Sequence, residues 1–348
     1  MARVLVAMSG GVDSSVAAAR LVDDGHDVTG VTLKLWGGPS DSGCCSVADV
    51  EDARRVAAQI GIPHYVFNLT DAFDEHVVAP YVEAYAHART PNPCVECNRT
   101  IKFGALFDRM TALGFDSLAT GHHARIVHDH SGRPRLARGR DRAKDQSYVL
   151  YMLDRPHLER TLLPVGELTK AEVRGEAERR GLRTAAKAES MDVCFITRGG
   201  RAEFLAERNA PRPGAIVGVG GDHLGEHDDA ARFTIGQRRG TGVAAGERRF
   251  VVDIDATTAT ITLGRREDLL RDTVGLDDLV LDDEIDHTTE LVAQTRAHGE
   301  PVAARVHRGD GRGATLRYAA PQPRVAPGQV VALYDGDVLL GGGIATPE

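Results

Sequence analysis

The chain has 348 residues, 42% of them hydrophobic and 26% charged, with a formal net charge of −8. That is enough chain for two or three water-soluble domains. No apolar run approaches the roughly 20 residues that cross a bilayer, and the start lacks a basic-then-apolar secretory pattern, so the expectation is a cytoplasmic protein with no membrane partner. Its five cysteines, Cys44, Cys45, Cys94, Cys97 and Cys194, are an odd number in a large chain, which argues against a disulfide scaffold and for thiols that react or bind metal.

A short apolar strand is predicted at Val4–Ala7, then a Ser9-Gly10-Gly11-Val12-Asp13-Ser14 turn, then an Ala-rich helix over Val16–Val22. Gly10 and Gly11 let the backbone approach a bound group and take turn dihedrals that a Cβ resists. The turn amides and the helix N-terminus then face one point, which suits an anion, and Ser9, Ser14 and Ser15 add hydroxyl donors. The Gly-Lys-Ser/Thr ending of a Walker A loop is missing. The hexapeptide instead resembles the pyrophosphatase loop of the PP-loop ATPases, which split ATP into AMP and pyrophosphate; the bland alternative is an ordinary Gly-rich strand–helix turn.

Strand and helix go on alternating. Val28–Leu35 reads as a strand, and Ser46 caps a helix through Ala58 that Gly61 stops. His64–Leu69 is a further strand, and a helix is expected over Asp71–Ala88 with a break at Pro80. Thr90-Pro91-Asn92-Pro93 reads as a loop because of its prolines, with helix again at Ile101–Leu113 and a strand at Ser117–Thr120. Such alternation implies a parallel sheet covered by helices, with binding loops at the carboxyl ends of its strands. After about residue 205 the pattern turns to short β segments, at Ala215–Val219, Phe250–Ile254 and Thr260–Leu263, and then at Val302–His307, Ala314–Tyr318, Val330–Tyr334 and Val338–Leu340, as in a small barrel.

The charge is uneven. Arg133, Arg135, Arg138, Arg140, Arg142 and Lys144 face one acid, Asp141, within a short stretch, while acids gather near Asp277–Asp286. A basic stripe on an acidic protein can hold a phosphate backbone; a solvated Arg-rich hairpin is the alternative. Pro93-Cys94-Val95-Glu96-Cys97-Asn98 places Cys97 near a predicted helix start, where a thiolate is stabilised, and Cys194 lies far along the chain in Met191-Asp192-Val193-Cys194-Phe195. Cys44 and Cys45 read as structural.

Seven ordered motifs together resemble the bacterial tRNA-specific 2-thiouridylases: Ala7–Ser15, Thr90–Phe103, Ala119–Arg125, Lys144–Ser147, Ser190–Ile196, Thr234–Gly240 and Gly341–Ile344. The resemblance implies an α/β parallel-sheet PP-loop domain (adenine nucleotide alpha hydrolase-like), a small mostly-β central domain and a C-terminal β-barrel, which we place at residues 1–206, 207–275 and 276–348. It implies ATP-dependent 2-thiolation of the wobble uridine in lysine, glutamate and glutamine tRNAs, bound by their anticodon arm. ATP and Mg²⁺ are implied as cofactors, and a cysteine desulfurase or sulfur-relay protein as donor of a persulfide.

Carried over by position, ATP falls against Ala7, Met8, Ser9, Gly10, Gly11, Val12, Asp13, Ser14, Leu33 and Gly121. Cys97 matches the nucleophile and Cys194 the persulfide carrier. Asn92, Pro93 and Cys94 match the stretch beside the target base, and His122, Lys144, Asp145, Gln146, Arg296 and Gln329 match tRNA contacts. Two positions depart from the pattern: Cys94 stands where many relatives have Asp, and Arg296-Ala297-His298 where relatives tend to have Arg-Tyr-Arg.

The expected chemistry adenylates uracil O2 at the expense of ATP, with Asp13 a metal ligand or near one, and brings sulfur as a Cys194 persulfide, which either attacks C2 directly or is attacked by Cys97 to release hydrosulfide. A 4Fe–4S cluster on Cys94, Cys97 and Cys194 is the alternative for the same reaction. The rival classes are another PP-loop adenylating synthetase, which needs neither cysteine, and a non-enzymatic metal- or tRNA-binding module.

Overall fold

The computed structural model describes residues 1–36, 46–188, 193–196, 200–243, 246–282, 285, 289–297, 299–309 and 313–347. They form two compact units: residues 1–78, 93–197 and 337–339, and residues 79–92, 198–336 and 340–348.

The first unit is built on a five-stranded parallel sheet of β1 (Arg3–Ala7), β2 (Asp27–Lys34), β3 (His64–Asn68), β4 (Ser117–Ala119) and β7 (Thr161–Leu162), in the order β3-β2-β1-β4-β7. Alternate residues of β1 face opposite sides. Val4, Val6 and Met8 share a core cluster with Val16, Ala17, Val56, Ala57, Val173 and Ala177, from the helices Val12–Asp23, Val47–Gln59 and Lys170–Arg179. Leu5, equally buried, is opposite Leu118 across β1 and β4. Strand order reverses between β1 and β4, so the loops that leave their carboxyl ends diverge at the usual ligand site of such sheets. A hairpin of β5 (Ala124–His128) and β6 (Pro134–Arg138) follows, and Val338 pairs with Ala137.

Ser46 caps its helix as expected, in a reciprocal box with Asp49, and Gly61 ends the next turn at φ +76°. Two expectations need correction. The helix expected over Asp71–Ala88 runs as Thr70–Phe73, a π turn Asp74–Val78 and Ala79–Ala86. The wider turn falls where Pro80 lacks an N–H and crowds the preceding turn, so the helix widens rather than breaks. Pro93 is not in a loop. It starts a helical run of Pro93–Glu96, a π segment Cys97–Ala105 and Leu106–Ala112, because a first helical residue needs no N–H partner.

The second unit carries a four-stranded sheet and a barrel. β8 (Gly214–Gly218), β9 (His223–His227), β10 (Phe250–Asp255) and β11 (Thr260–Gly264) lie in the order β10-β11-β8-β9 over Ile216, Phe233, Val251, Ile261 and Leu263. The next six strands are β12 (Leu270–Leu281), β13 (Leu291–Gln294), β14 (Val302–Arg308), β15 (Ala314–Pro323), β16 (Val330–Asp335) and β17 (Val338–Ala345). They are ordered β12-β15-β14-β13-β16-β17 and close through a β12–β17 pairing. Buried and exposed residues alternate along Ala314–Ala319, the period expected of a wall with one face on a core. The expected boundary at 275/276 falls inside β12. Among the described residues no helix is long and apolar enough to cross a membrane.

Candidate nucleotide and thiol site

The turn after β1 is shaped for close approach. Gly10 has φ +72°, and a Cβ there would stand 2.3 Å from the Asp49 carbonyl oxygen. Gly11 is the extended N-cap of the helix Val12–Asp23. The first helical amides, Val12 to Ser14, have no intrahelical acceptor and lie at the positive end of the helix dipole. Gly121, after β4, backs directly onto this turn, where a Cβ would be 2.6 Å from the Ser14 nitrogen. Ala7 pairs with Val31, and Leu33 is buried two residues further along β2. Ala7, Gly10–Ser14, Leu33 and Gly121 thus gather at one sheet edge. The hydroxyls depart from expectation: Ser14 and Ser15 both donate to the Gly11 carbonyl, at 3.2 and 2.8 Å, and Ser15 is fully buried. They brace the turn, while Ser9 is exposed and sends its N–H to Ser14 Oγ at 3.2 Å.

Asp13 is the centre of a charged group with Lys170 and His123, neither of them a candidate on sequence alone. Lys170 Nζ donates to both its oxygens, at 2.8 and 2.6 Å, and His123 Nε2 lies 3.0 Å from Oδ1. Burial by itself pushes the Asp13 carboxyl up, but the bonds and charges of His123 and Lys170 outweigh it and hold it below the usual carboxylate range. With Nε2 on a carboxylate, His123 leaves Nδ1 facing inward without a partner. Lys170 is the first residue of a helix whose N-cap Thr169 and Glu172 form a capping box. That Thr-x-x-Glu signature in the sequence marks the helix start and was the available signal for Lys170. His122 is buried, with Nδ1 2.8 Å from Thr120 Oγ1. Burial first, then the Lys102 and His123 charges, depress its pKa well below the ordinary value, so it is neutral.

Cys94 and Cys97 sit three residues apart on the helical run from Pro93, hence on one face. Cys97 is buried; Cys94 and Cys194 are half-buried. The neighbouring Phe195 packs edge-on to Phe73, with ring centroids 5.8 Å apart, and against Trp36 at 6.3 Å. The run is tied down by Asn98 Nδ2 on the Val149 carbonyl at 3.1 Å and Arg99 on Tyr151 OH at 2.6 Å. Cys44 and Cys45 lie outside the described residues. Among the described residues no group of three or more His, Cys, Asp or Glu side chains is arranged to hold a metal ion. Cys94, Cys97 and Cys194 therefore do not form the donor set that a 4Fe–4S cluster needs. Both oxygens of Asp13 are engaged, by Lys170 and His123, so the carboxylate is not an open magnesium ligand.

The Arg-rich stretch is largely neutralised. Arg135 pairs with Asp129 at 3.1 Å, Arg140 with Glu172 at 3.1 Å, and Arg142 with Asp337. Arg138 is buried on Asp145 at 3.1 Å, and that carboxylate also accepts from Gly139 N, Ser147 N and Ser147 Oγ. Asp145 is thus an internal brace. Gln146, exposed, exchanges bonds of 2.9 Å with the His123 backbone through its own N–H and Oε1, and Lys144 is half-buried. Asn92, Arg296 and Gln329 belong to the second unit: Gln329 Nε2 donates to the Thr90 carbonyl at 2.5 Å, Asn92 is half-buried, and Arg296 is exposed.

A parallel sheet with a Gly-Gly anion turn after its first strand, backed by a second glycine turn at the reversal of strand order, defines a nucleotide-binding domain of the PP-loop class. Family models agree. Residues 2–198 match the "tRNA methyl transferase HUP domain", 202–265 the "tRNA methyl transferase PRC-barrel domain" and 278–345 the "Aminomethyltransferase beta-barrel domain". Curated relatives match end to end. The tRNA-specific 2-thiouridylase MnmA of Roseiflexus sp. (strain RS-1) is 45% identical over 99% of both chains. The MnmA of Chloroflexus aggregans is 48% identical over all of this chain and 99% of its own, and that of Sorangium cellulosum 48% identical over 98% and 91%. The chain belongs to the tRNA-specific 2-thiouridylase family.

Proposed function

We propose that this chain is an ATP-dependent tRNA sulfurtransferase that makes 2-thiouridine at the wobble position of lysine, glutamate and glutamine tRNAs. The observation that carries the reading is one unit holding both the Gly10–Ser14 anion turn and the cysteines Cys97 and Cys194, in a chain that matches 2-thiouridylases over its whole length. The chemistry follows from the substrate. Uracil O2 is a poor leaving group; attack on the α-phosphorus of ATP turns it into part of AMP and expels pyrophosphate. The amides of Gly11 to Ser14 and the helix dipole take up the phosphate charge, Leu33 offers adenine an apolar contact, and Asp13 holds Lys170 beside the loop.

The terminal sulfur of a Cys194 persulfide then attacks C2 and AMP departs. The Cys97 thiolate attacks the Cys194 sulfur, leaving thiouridine and a Cys97–Cys194 disulfide that a cellular thiol must reduce. That step requires Cα atoms within about 7 Å. The persulfide comes from a cysteine desulfurase or sulfur-relay protein in the cytoplasm. Asn92, Pro93 and Cys94 lie beside the base. His122, Lys144, Gln146, Arg296 and Gln329 serve the tRNA, with Asp145 positioning Gln146. The domains divide near residue 207 and ahead of β12, which begins at Leu270. The test is mass spectrometry of tRNA nucleosides from cells lacking this chain: 2-thiouridine should vanish and return on complementation, and its persistence refutes the proposal.

A further inference from the structure

We infer that Lys187 is a positioning residue of the nucleotide turn, setting the direction of the Gly11 amide. The inference rests on the nucleotide reading of the Gly10–Ser14 turn. Lysine has three N–H donors, and here all three are committed: to the Gly10 carbonyl at 2.9 Å, Asp49 Oδ1 at 2.6 Å and Asp52 Oδ2 at 2.7 Å. Burial on its own lowers the Lys187 pKa, but the two carboxylates outweigh it and keep the ammonium charged.

Each partner is fixed in turn. Asp49 Oδ2 accepts from Ser46 N and Oγ, at 3.1 and 2.7 Å, inside the capping box, and Asp52 Oδ1 pairs with Arg183 at 2.9 Å. Arg174 clamps the backbone on this side, donating to the carbonyls of Ala185 and Lys187 at 2.7 and 3.1 Å.

The consequence lies in the peptide plane between Gly10 and Gly11. A trans peptide points its C=O and the next N–H in opposite directions. Holding the Gly10 carbonyl on the ammonium therefore aims the Gly11 N–H away from Lys187. The helix already fixes the Val12 to Ser14 amides; the Gly11 amide precedes it and, at a glycine pair, has the most freedom to turn. Nothing in the residues' local pattern sets it, and Lys187, distant in sequence, does.

The experiment measures pyrophosphate release against ATP concentration, with substrate tRNA, for the full-length enzyme. Lys187→Met should raise the ATP KM about ten-fold, the size of one misdirected hydrogen bond to a charged group, with tRNA affinity unchanged. Lys187→Gln, whose amide can still donate to the Gly10 carbonyl, should recover part of that loss. Arg183→Gln, which disturbs the same cluster without touching Gly10, should keep the wild-type KM. Should Lys187→Met not fold, Lys187→Met with Asp52→Asn lowers the charge left unpaired and is read identically. A lower melting temperature with a wild-type ATP KM overturns the inference and leaves the nucleotide reading intact; a wild-type enzyme that releases no pyrophosphate overturns both.

Discussion

Gly121→Ala separates a nucleotide turn from an ordinary one. A Cβ at this position would lie 2.6 Å from Ser14 N, 2.8 Å from the Asp13 carbonyl carbon and 2.9 Å from Ser14 Cα. The closest of these is about 0.9 Å short of the ~3.5 Å at which such atoms rest. All three are backbone atoms of the first helical turn, so no side chain can swing aside; either the turn or the Gly121 loop must move. Overpacking of this kind costs about 1–3 kcal/mol, which in a domain of this size lowers the melting temperature by roughly 2–12 °C. The displaced atoms belong to the Asp13–Ser14 peptide, which carries the Ser14 N–H, so ATP affinity should fall by at least ten-fold while tRNA affinity stays. Thermal unfolding and an ATP titration of pyrophosphate release, on one preparation, give both numbers. A destabilised variant with unchanged ATP affinity would show that Gly121 serves packing alone.

Cys97→Ser and Cys194→Ser should each bind ATP and tRNA yet form no thiouridine by nucleoside mass spectrometry, whereas Cys94→Ser should keep substantial activity, since the persulfide route gives it no covalent role. His122 is held neutral in the fold, so below about pH 6.5 the unfolded chain takes up a proton that the folded chain refuses, and stability falls as pH drops, by up to ~1.4 kcal/mol per pH unit. Urea unfolding between pH 8 and 5.5 should show that slope and a smaller one in His122→Gln; His64, also depressed by burial and then by Arg54, acts in the same direction. Asp145→Ala removes the carboxylate that the buried Arg138 meets at 3.1 Å and should cost ~3–5 kcal/mol, while Arg140→Ala, at an exposed pair, should cost no more than ~1 kcal/mol in the same denaturation assay. Lys144→Ala should make the log–log salt dependence of tRNA binding shallower by roughly 0.7–0.9; an unchanged slope removes Lys144 from the RNA contacts.

The α/β character, the Ser46 cap and the anion turn were legible because each is written in local chemistry: apolar runs, a capping oxygen, a glycine pair. The barrel strands from Val302 onward were legible by alternation. What local chemistry misjudged was Pro93, where the rule against proline in helices yields at the first position, and Pro80, where a π turn absorbs the clash. The site's ion pairs were beyond reach for another reason. Asp13 finds Lys170 across 157 positions and Lys187 finds Asp49 across 138, and only the sheet's strand order brings such pairs together. For the Arg-rich stretch the sequence left a phosphate-binding stripe and a solvated hairpin both open; its arginines pair with Asp129 and Asp145 nearby in the chain and with Glu172 and Asp337 further off.

The short piece Asp337–Leu339, counted with the first unit, sets a clock on how that unit is made. Arg125 and Arg142 find their carboxylate at Asp337 across 212 and 195 positions, and Ala137 its strand partner at Val338. Translation at about 5–20 residues per second delivers those partners roughly 10–40 seconds after the hairpin leaves the ribosome. Through that interval β6 has an unfilled edge, the kind of surface that recruits foreign strands, and Arg125 and Arg142 wait for Asp337, Arg125 with Glu167 as its nearer acid in the chain. Nascent chains shorter than 337 residues should therefore lean on chaperones or aggregate, although every residue of the nucleotide turn has already been made.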